Sequence, residues 1–141
     1  MLEKIADMEL QYLGETIWVP NTKFGRYIGS GDGTVTGDGV AGKGVSGTVK
    51  WSLFENERTD VCDVSLVGTI AVDDTGEIEF EILGHSRHDP DARTWRLSAG
   101  IRFMMADGAW PPEPWPKTGV VTGLFETDHR RHRYALFRET G

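Results

Sequence analysis

The sequence predicts an all-β fold, a single antiparallel β-barrel of roughly eight to ten strands, and three observations predict it. Apolar residues recur at period two in segment after segment, short polar or glycine-bearing turns separate the segments, and no stretch keeps a helical period of 3.6. Closure into a barrel follows from the glycine content, 18 of 141 residues. A small sheet bends enough to close through glycines and bulges, and closure removes its exposed edges. A chain of this length fits one domain, taken as residues 1–141, with room for a real core.

The elements follow in order. LEKIAD, residues 2–7, mixes acids with apolar residues and is expected to be at most a short helical turn in a frayed amino terminus. MELQYLGETIWVP supplies the first strand or two. The glycines at 29, 31, 33, 37, 39, 42, 44 and 47 raise a nucleotide question, because GDGVAGKG (37–44) comes within one residue of the phosphate-loop pattern G-x-x-x-x-G-K-[ST]. That loop needs a helix after it, whereas VSGTVKWSLFE sets Val45, Val49, Trp51 and Leu53 against Lys50 and Ser52 at strand period. Gly44 also stands where the Mg²⁺-coordinating hydroxyl belongs. The glycines therefore serve turns, bulges and close strand approach. A calcium-binding repeat in GSGDGTVTGDG does not persist beyond one partial copy.

DVCDVSLVGTIAVDD (60–74) places Cys62, Val64, Leu66, Ile70 and Val72 on one side, with Asp63, Ser65, Thr69 and Asp73 on the other. After the turn at 73–76, Ile78, Phe80 and Ile82 alternate with Glu77, Glu79 and Glu81, a hairpin with one wet face. From Thr94, Leu97, Ala99, Ile101, Phe103 and Met105 oppose Arg96, Ser98 and Arg102. WPPEPWP (110–116) reads as an ordered loop over one end of the barrel. TGVVTGLFE and RYALFRE flank the polar turn TDHRRH and close the chain with another hairpin.

Composition narrows the function. Hydrophobic residues at 38% and charged residues at 26% are ordinary for a globular protein in water, and no apolar run is long enough for a membrane span. The amino terminus has no secretory signal pattern, so a cytoplasmic protein is expected. A net charge of −7 argues against nucleic acid and anionic membrane as partners. The single cysteine, Cys62, has no internal disulfide partner and reads as an inert buried thiol.

Several local strings resemble the DUF3237 family, also called UPF0311, of small β-barrel proteins. They are the glycine-rich run ending GVSGTVKW, the strand TDVCDVSLVGTIAVDDTGEI, and the final TGVVTGLFE with RYALFRE, together spanning about residues 8 to 138. Where that family tends to carry Asp-x-Arg, this chain has Asp63 followed by Ser65. The resemblance implies a calycin-like antiparallel barrel and a homo-oligomer, without a settled activity.

Candidate chemistry lies on the strand faces. Asp63, Ser65 and Arg102 interrupt faces expected to be half-buried in a closed sheet, and an Asp63–Arg102 pair would satisfy both charges. His85, at a strand end, is a further acid/base candidate. Trp51, Trp95, Trp110 and Trp115, with Tyr27 and Phe103, would wall a lumenal pocket, Ser65 adding a polar contact. His85/His88 and His129/His132 are H-x-x-H strings, but a three-residue offset puts strand imidazoles on opposite faces and arginines surround both, so solvated loops are expected and no metal site. Glu77, Glu79 and Glu81 read as a solvated outer face.

The expected protein binds a small apolar oxygenated molecule. The leading reading is an isomerase, cyclase or lyase that needs no cofactor, with Asp63 or His85 as acid/base and Arg102 stabilising an oxyanion. The alternatives are a lipocalin-like carrier or sensor without chemistry, and a structural barrel whose lumen is filled by side chains.

Overall fold

The computed structural model describes residues 1–20, 25–73 and 75–139. Nine strands form one antiparallel sheet: β1 (Leu2–Tyr12), β2 (Ile17–Pro20), β3 (Gly25–Val40), β4 (Lys43–Arg58), β5 (Val61–Val72), β6 (Gly76–Asp89), β7 (Thr94–Met105), β8 (Thr118–Glu126) and β9 (Arg131–Glu139). From β3 to β9 each strand pairs with its successor, β9 returns to β1, and β1 pairs with β3, so eight strands close a barrel. The short β2 lies outside the ring, pairing with the first residues of β3. One three-residue 3₁₀ turn, Thr127–His129, joins β8 to β9.

The alternation expected from the sequence sets the inside of the barrel. Leu66, Ile70, Ile78, Ile82, Leu97, Ile101, Phe103, Val121 and Leu136 are buried and fill it. Each buried aliphatic or aromatic side chain of this kind stabilises the fold by about 1.5–3 kcal/mol. The amino-terminal segment departs from expectation. Residues 2–7 are strand, not a frayed turn, because β9 pairs with them from Leu2, β3 joins on the other edge from Asp7, and Ile5, Met8 and Leu10 reach the core across a register shift between Lys4 and Ala6. Ladder pairing and burial outweigh the weak local helical signal.

The glycine run is explained by closure more than by turns. On β3, Gly29, Gly31, Gly33 and Gly37 occupy alternate positions of the inward face, where β1 crosses closest. A Cβ on Gly31 would lie 1.9 Å from the Gln11 carbonyl oxygen, and one on Gly33 2.1 Å from that of Glu9. No side chain fits there, so β3 can fold against β1 and shut the barrel.

The two ends differ. One carries the β3–β4 and β5–β6 turns and the segment 106–117, which lies across the opening as expected. Trp115 is buried there, edge-on to Phe103 with 5.6 Å between ring centroids. Backbone bonds from Phe103 N–H to the Lys117 carbonyl (2.9 Å) and from Met105 N–H to the Ala109 carbonyl (2.8 Å) hold this plug. The other end, at the β1–β2, β4–β5, β6–β7 and β8–β9 connections, keeps the polar interior.

Candidate functional site

Register builds this second end. The inward faces of β4 and β5 continue past Leu53 to Glu55 and Glu57, opposite Val64 and Cys62. Cys62 faces Ser86 on β6, Ser86 faces Leu97 on β7, and His88 faces Trp95. Trp95 pairs across to Phe125 on β8, and Phe125 to His132 on β9. Strand pairing thus places a carboxylic acid, a thiol, a hydroxyl and an imidazole around one apolar cross-section.

His132 is 2% exposed and sits in an aromatic cage. Its ring lies 4.6 Å from Phe125, 5.4 Å from Tyr12, 5.4 Å from Trp51 and 5.3 Å from Tyr134, centroid to centroid. Trp51 is held by its Nε1–H donating to the Asp32 carbonyl at 2.9 Å. Burial lowers the His132 pKa to about 3, so the ring is neutral at pH 7. The Tyr134 hydroxyl is hydrogen-bonded to His132 Nδ1 at 2.5 Å. With the phenol as donor the imidazole accepts at Nδ1 and carries its own proton on Nε2; with the other tautomer Nδ1–H donates to the phenol oxygen and Nε2 is an acceptor. That Nε2 and the Ser86 Oγ are both buried and make no hydrogen bond of good geometry, although the Ser86 hydroxyl is close enough to the facing Cys62 sulfur to lower that thiol's pKa.

Glu55 titrates in the opposite sense. Burial raises its pKa from 4.5 to about 7, the Cys62 thiol proton offsets part of that rise, and the nearby Glu57 charge adds to it. Burial and the Glu55 charge together push the Cys62 thiol far up. Tyr12 and Tyr134 are likewise raised, chiefly by burial. Tyr27 donates to Glu57 Oε2 at 2.7 Å and is raised to about 12, by burial first and this bond second. Glu55, Val64, Ser86, Trp95, Leu97, Phe125, His132 and Tyr134 surround a void of about 10 Å³. A volume of that order admits one water or one oxygen atom.

The residues expected to form a site divide among three places. Trp51, Trp95 and Tyr27 lie at the polar end. Phe103 is buried under the opposite plug, and Trp110 is 56% exposed beneath Lys117, whose Nζ lies 5.0 Å from its ring. Asp63, Ser65 and His85 come together, but on the outer wall beside Phe54 and Leu83. There Asp63 pairs with Arg58 at 2.7 Å and with His85 Nδ1 at 3.1 Å. The expected Asp63–Arg102 pair does not form, because Arg102 is bound to Glu81 at 3.1 Å on that outer surface. The alternation of these residues against Cys62, Val64 and Leu66 holds, but their expected place in the lumen does not, because the apolar side of the same strands fills the inside of the barrel and turns them outward. The solvated-loop reading of the H-x-x-H strings also needs correction. His88 points inward and stacks on Trp95 at 4.5 Å, and His132 is in the core. Among the described residues no group of three or more His, Cys, Asp or Glu is arranged to hold a metal ion.

Glu55, His132, Tyr134 and Ser86 were missed. The signal was present: Val49, Trp51, Leu53 continue to Glu55 at the same parity, as Ile78, Phe80, Ile82 continue to Ser86, and Leu136, Tyr134 run back to His132. VSGTVKWSLFE and RYALFRE contain Glu55 and Tyr134 without marking them as site residues, while His132 falls in the expected turn TDHRRH and Ser86 beyond EIEFEIL.

Fold and site define a closed up-and-down barrel, plugged at one end and carrying a half-buried acid with a buried imidazole and phenol at the other. No family model matches the chain, and no curated protein does. Among solved structures it is similar to a protein with unknown function from Clostridium acetobutylicum ATCC 824. The two are 14% identical over 99% of each chain with a TM-score of 0.75, a likeness of fold.

Proposed function

We propose that this protein is an acid/base enzyme needing no cofactor, of the isomerase, cyclase or lyase class, acting on a small apolar oxygenated molecule at the polar end of the barrel. The observation that carries the reading is Glu55, an inward carboxyl whose pKa of about 7 matches what a general acid and base needs near neutral pH. As carboxylate it takes a proton from the substrate, and as carboxylic acid it returns a proton at another atom; the electron pair stays in the substrate. The half-buried Trp95, Phe125, His88 and Tyr27 supply an aromatic rim for an apolar body. A lipocalin-like carrier would use the same aromatic rim without a titrating carboxyl, and the Glu55 pKa near 7 favours the enzyme reading. The outward charged faces and the lone buried Cys62 support work in water, in the cytoplasm.

The test is deuterium transfer. Protein is incubated in D₂O with a small-molecule extract of its own host, and the extract is compared by mass spectrometry with one treated with the Glu55→Gln variant. The expected result is one metabolite or isomer pair gaining deuterium with wild type alone. Identical labelling by both proteins, or none by either, would overturn the proposal.

A further inference from the structure

The polar end contains something that acid/base chemistry at Glu55 does not by itself require. Two polar atoms, on side chains each more than nine-tenths buried, lie at one void without a hydrogen bond of good geometry: His132 Nε2 and Ser86 Oγ, the latter beside the Cys62 sulfur. An unsatisfied buried donor costs roughly what a lost hydrogen bond does, so such atoms are normally paired with protein, water or ligand. The void has room for a single oxygen atom.

Resting on the reading above, we propose that this void is an oxyanion hole, and that the substrate is a small carbonyl compound whose carbonyl oxygen occupies it. The proposal assigns the Tyr134 phenol as donor to His132 Nδ1, which leaves the imidazole proton on Nε2, and the aromatic cage of Tyr12, Trp51 and Phe125 fixes the ring's direction. A neutral imidazole donor and a hydroxyl donor are therefore in place before a substrate arrives, which is what stabilises developing negative charge without reorganisation. Glu55 lines the same void and faces the substrate beside the carbonyl. In the step this implies, the Glu55 carboxylate takes a proton from the carbon next to the carbonyl. The C–H pair becomes the C=C bond of an enolate, and the carbonyl π pair moves onto oxygen, where Nε2–H and Oγ–H receive it. Where the substrate carries a β,γ double bond the enolate is a dienolate: the oxygen pair returns to form C=O, the double bond shifts to the α,β position, and Glu55 delivers its proton to the γ carbon, which completes an isomerisation with no oxidant, reductant or second reactant consumed.

Substituted phenols are the probe. Phenolate oxygen carries the charge of an enolate, and the phenyl ring suits the Trp95–Phe125 rim. Binding of phenol, 4-chlorophenol and 4-nitrophenol is measured by calorimetry and absorbance for the Glu55→Gln protein, whose neutral amide avoids charge repulsion, and again with Ser86→Ala added. In parallel, ¹⁵N-histidine spectra follow the His132 Nε2–H, identified as the ring that stays neutral as pH falls to 5. The proposal expects tighter binding of the more acidic phenols as phenolates, roughly a tenfold or greater loss with Ser86→Ala, as for a hydrogen bond to a charged group, and a downfield move of the Nε2 proton. Binding that ignores Ser86→Ala and leaves the His132 signal unmoved would overturn it, as would no phenol binding at all. If deuterium transfer by wild type survives that failure, the acid/base reading stands and the carbonyl assignment alone is lost.

Discussion

Glu55 and His132 carry opposite pKa shifts in one cross-section, and their effects on stability should cancel in the intact protein. For Glu55 the folded pKa of about 7 lies above the ordinary 4.5, so its contribution is fully present below pH 4.5 and is lost as pH rises through 7. For His132 the folded value of about 3 lies below 6.5, so its contribution is present above pH 6.5 and is lost as pH falls toward 3. Between pH 4.5 and 6.5 the folded chain holds a Glu55 proton that the unfolded chain has released, and the unfolded chain holds a His132 proton that the folded chain has not taken up. The counts match and the pair adds no slope. The other titratable groups raised beside Glu55, namely Tyr12, Cys62 and Tyr134, stay neutral in that window. Glu55→Gln should therefore gain stability relative to wild type by about 1.4 kcal/mol per pH unit from pH 4.5 to 7, roughly 3 kcal/mol in all. His132→Gln should lose stability relative to wild type at a similar slope between pH 4.5 and 6.5, on top of a constant packing cost, and the double variant should run parallel to wild type. Urea denaturation followed by tryptophan fluorescence at half-unit pH steps measures each slope. A Glu55→Gln profile parallel to wild type within about 0.5 kcal/mol, against the ~3 kcal/mol expected from linkage, would refute the argument by showing that Glu55 titrates like a solvated carboxylate.

Three further outcomes follow from the packing. Gly31→Ala, with its Cβ 1.9 Å from the Gln11 carbonyl oxygen, should destabilise by upwards of ~3 kcal/mol in thermal melts, whereas Gly100→Ala, with open space around it, should change little. Trp115→Ala should remove the plug over Phe103, costing about 3–5 kcal/mol in denaturant titrations and raising the fluorescence of a hydrophobic dye. Asp63→Ala and Arg102→Ala break pairs on the outer wall and should each shift stability by less than about 1 kcal/mol, in the range of exposed ion pairs; a loss of several kcal/mol in either would contradict their outward placement.

The barrel was legible because period-two alternation is a geometric property of one strand and needs no knowledge of its neighbours. Ile78, Phe80 and Ile82 against three glutamates announce a strand and its wet face without further help. Closure was legible in outline, since alternate glycines imply that something must pass close to β3, though the sequence does not say that the neighbour is β1. The site was less legible because burial is a property of layers. Asp63 and Arg102 share the outward side of a sheet, and whether that side is covered depends on a second layer that alternation cannot reveal. His132 shows the reverse failure. In HRRHRYALFRE it sits among arginines, which suggests solvent, yet its parity with Tyr134 and Leu136 puts it inside while Arg131 and Arg133 turn toward Glu126.

The contrast between the two ends argues that the polar one is kept for use. At the plugged end Trp115 packs edge-on against Phe103, which shows that this chain can finish its core with aromatic packing. At the other end, Glu55 resists ionisation until about pH 7, and two buried polar atoms go without a good hydrogen bond. An unsatisfied buried polar atom costs about 1–3 kcal/mol. Replacing Ser86 by Ala would remove one such atom and replacing Glu55 by Gln would remove the charge that burial opposes, neither disturbing register, because both positions lie within regular ladder pairing. A barrel that only had to fold would gain from both changes. That stability should rise while deuterium transfer falls, in the same variants, is the relation expected of a site whose polar groups are held unsatisfied until a substrate oxygen arrives.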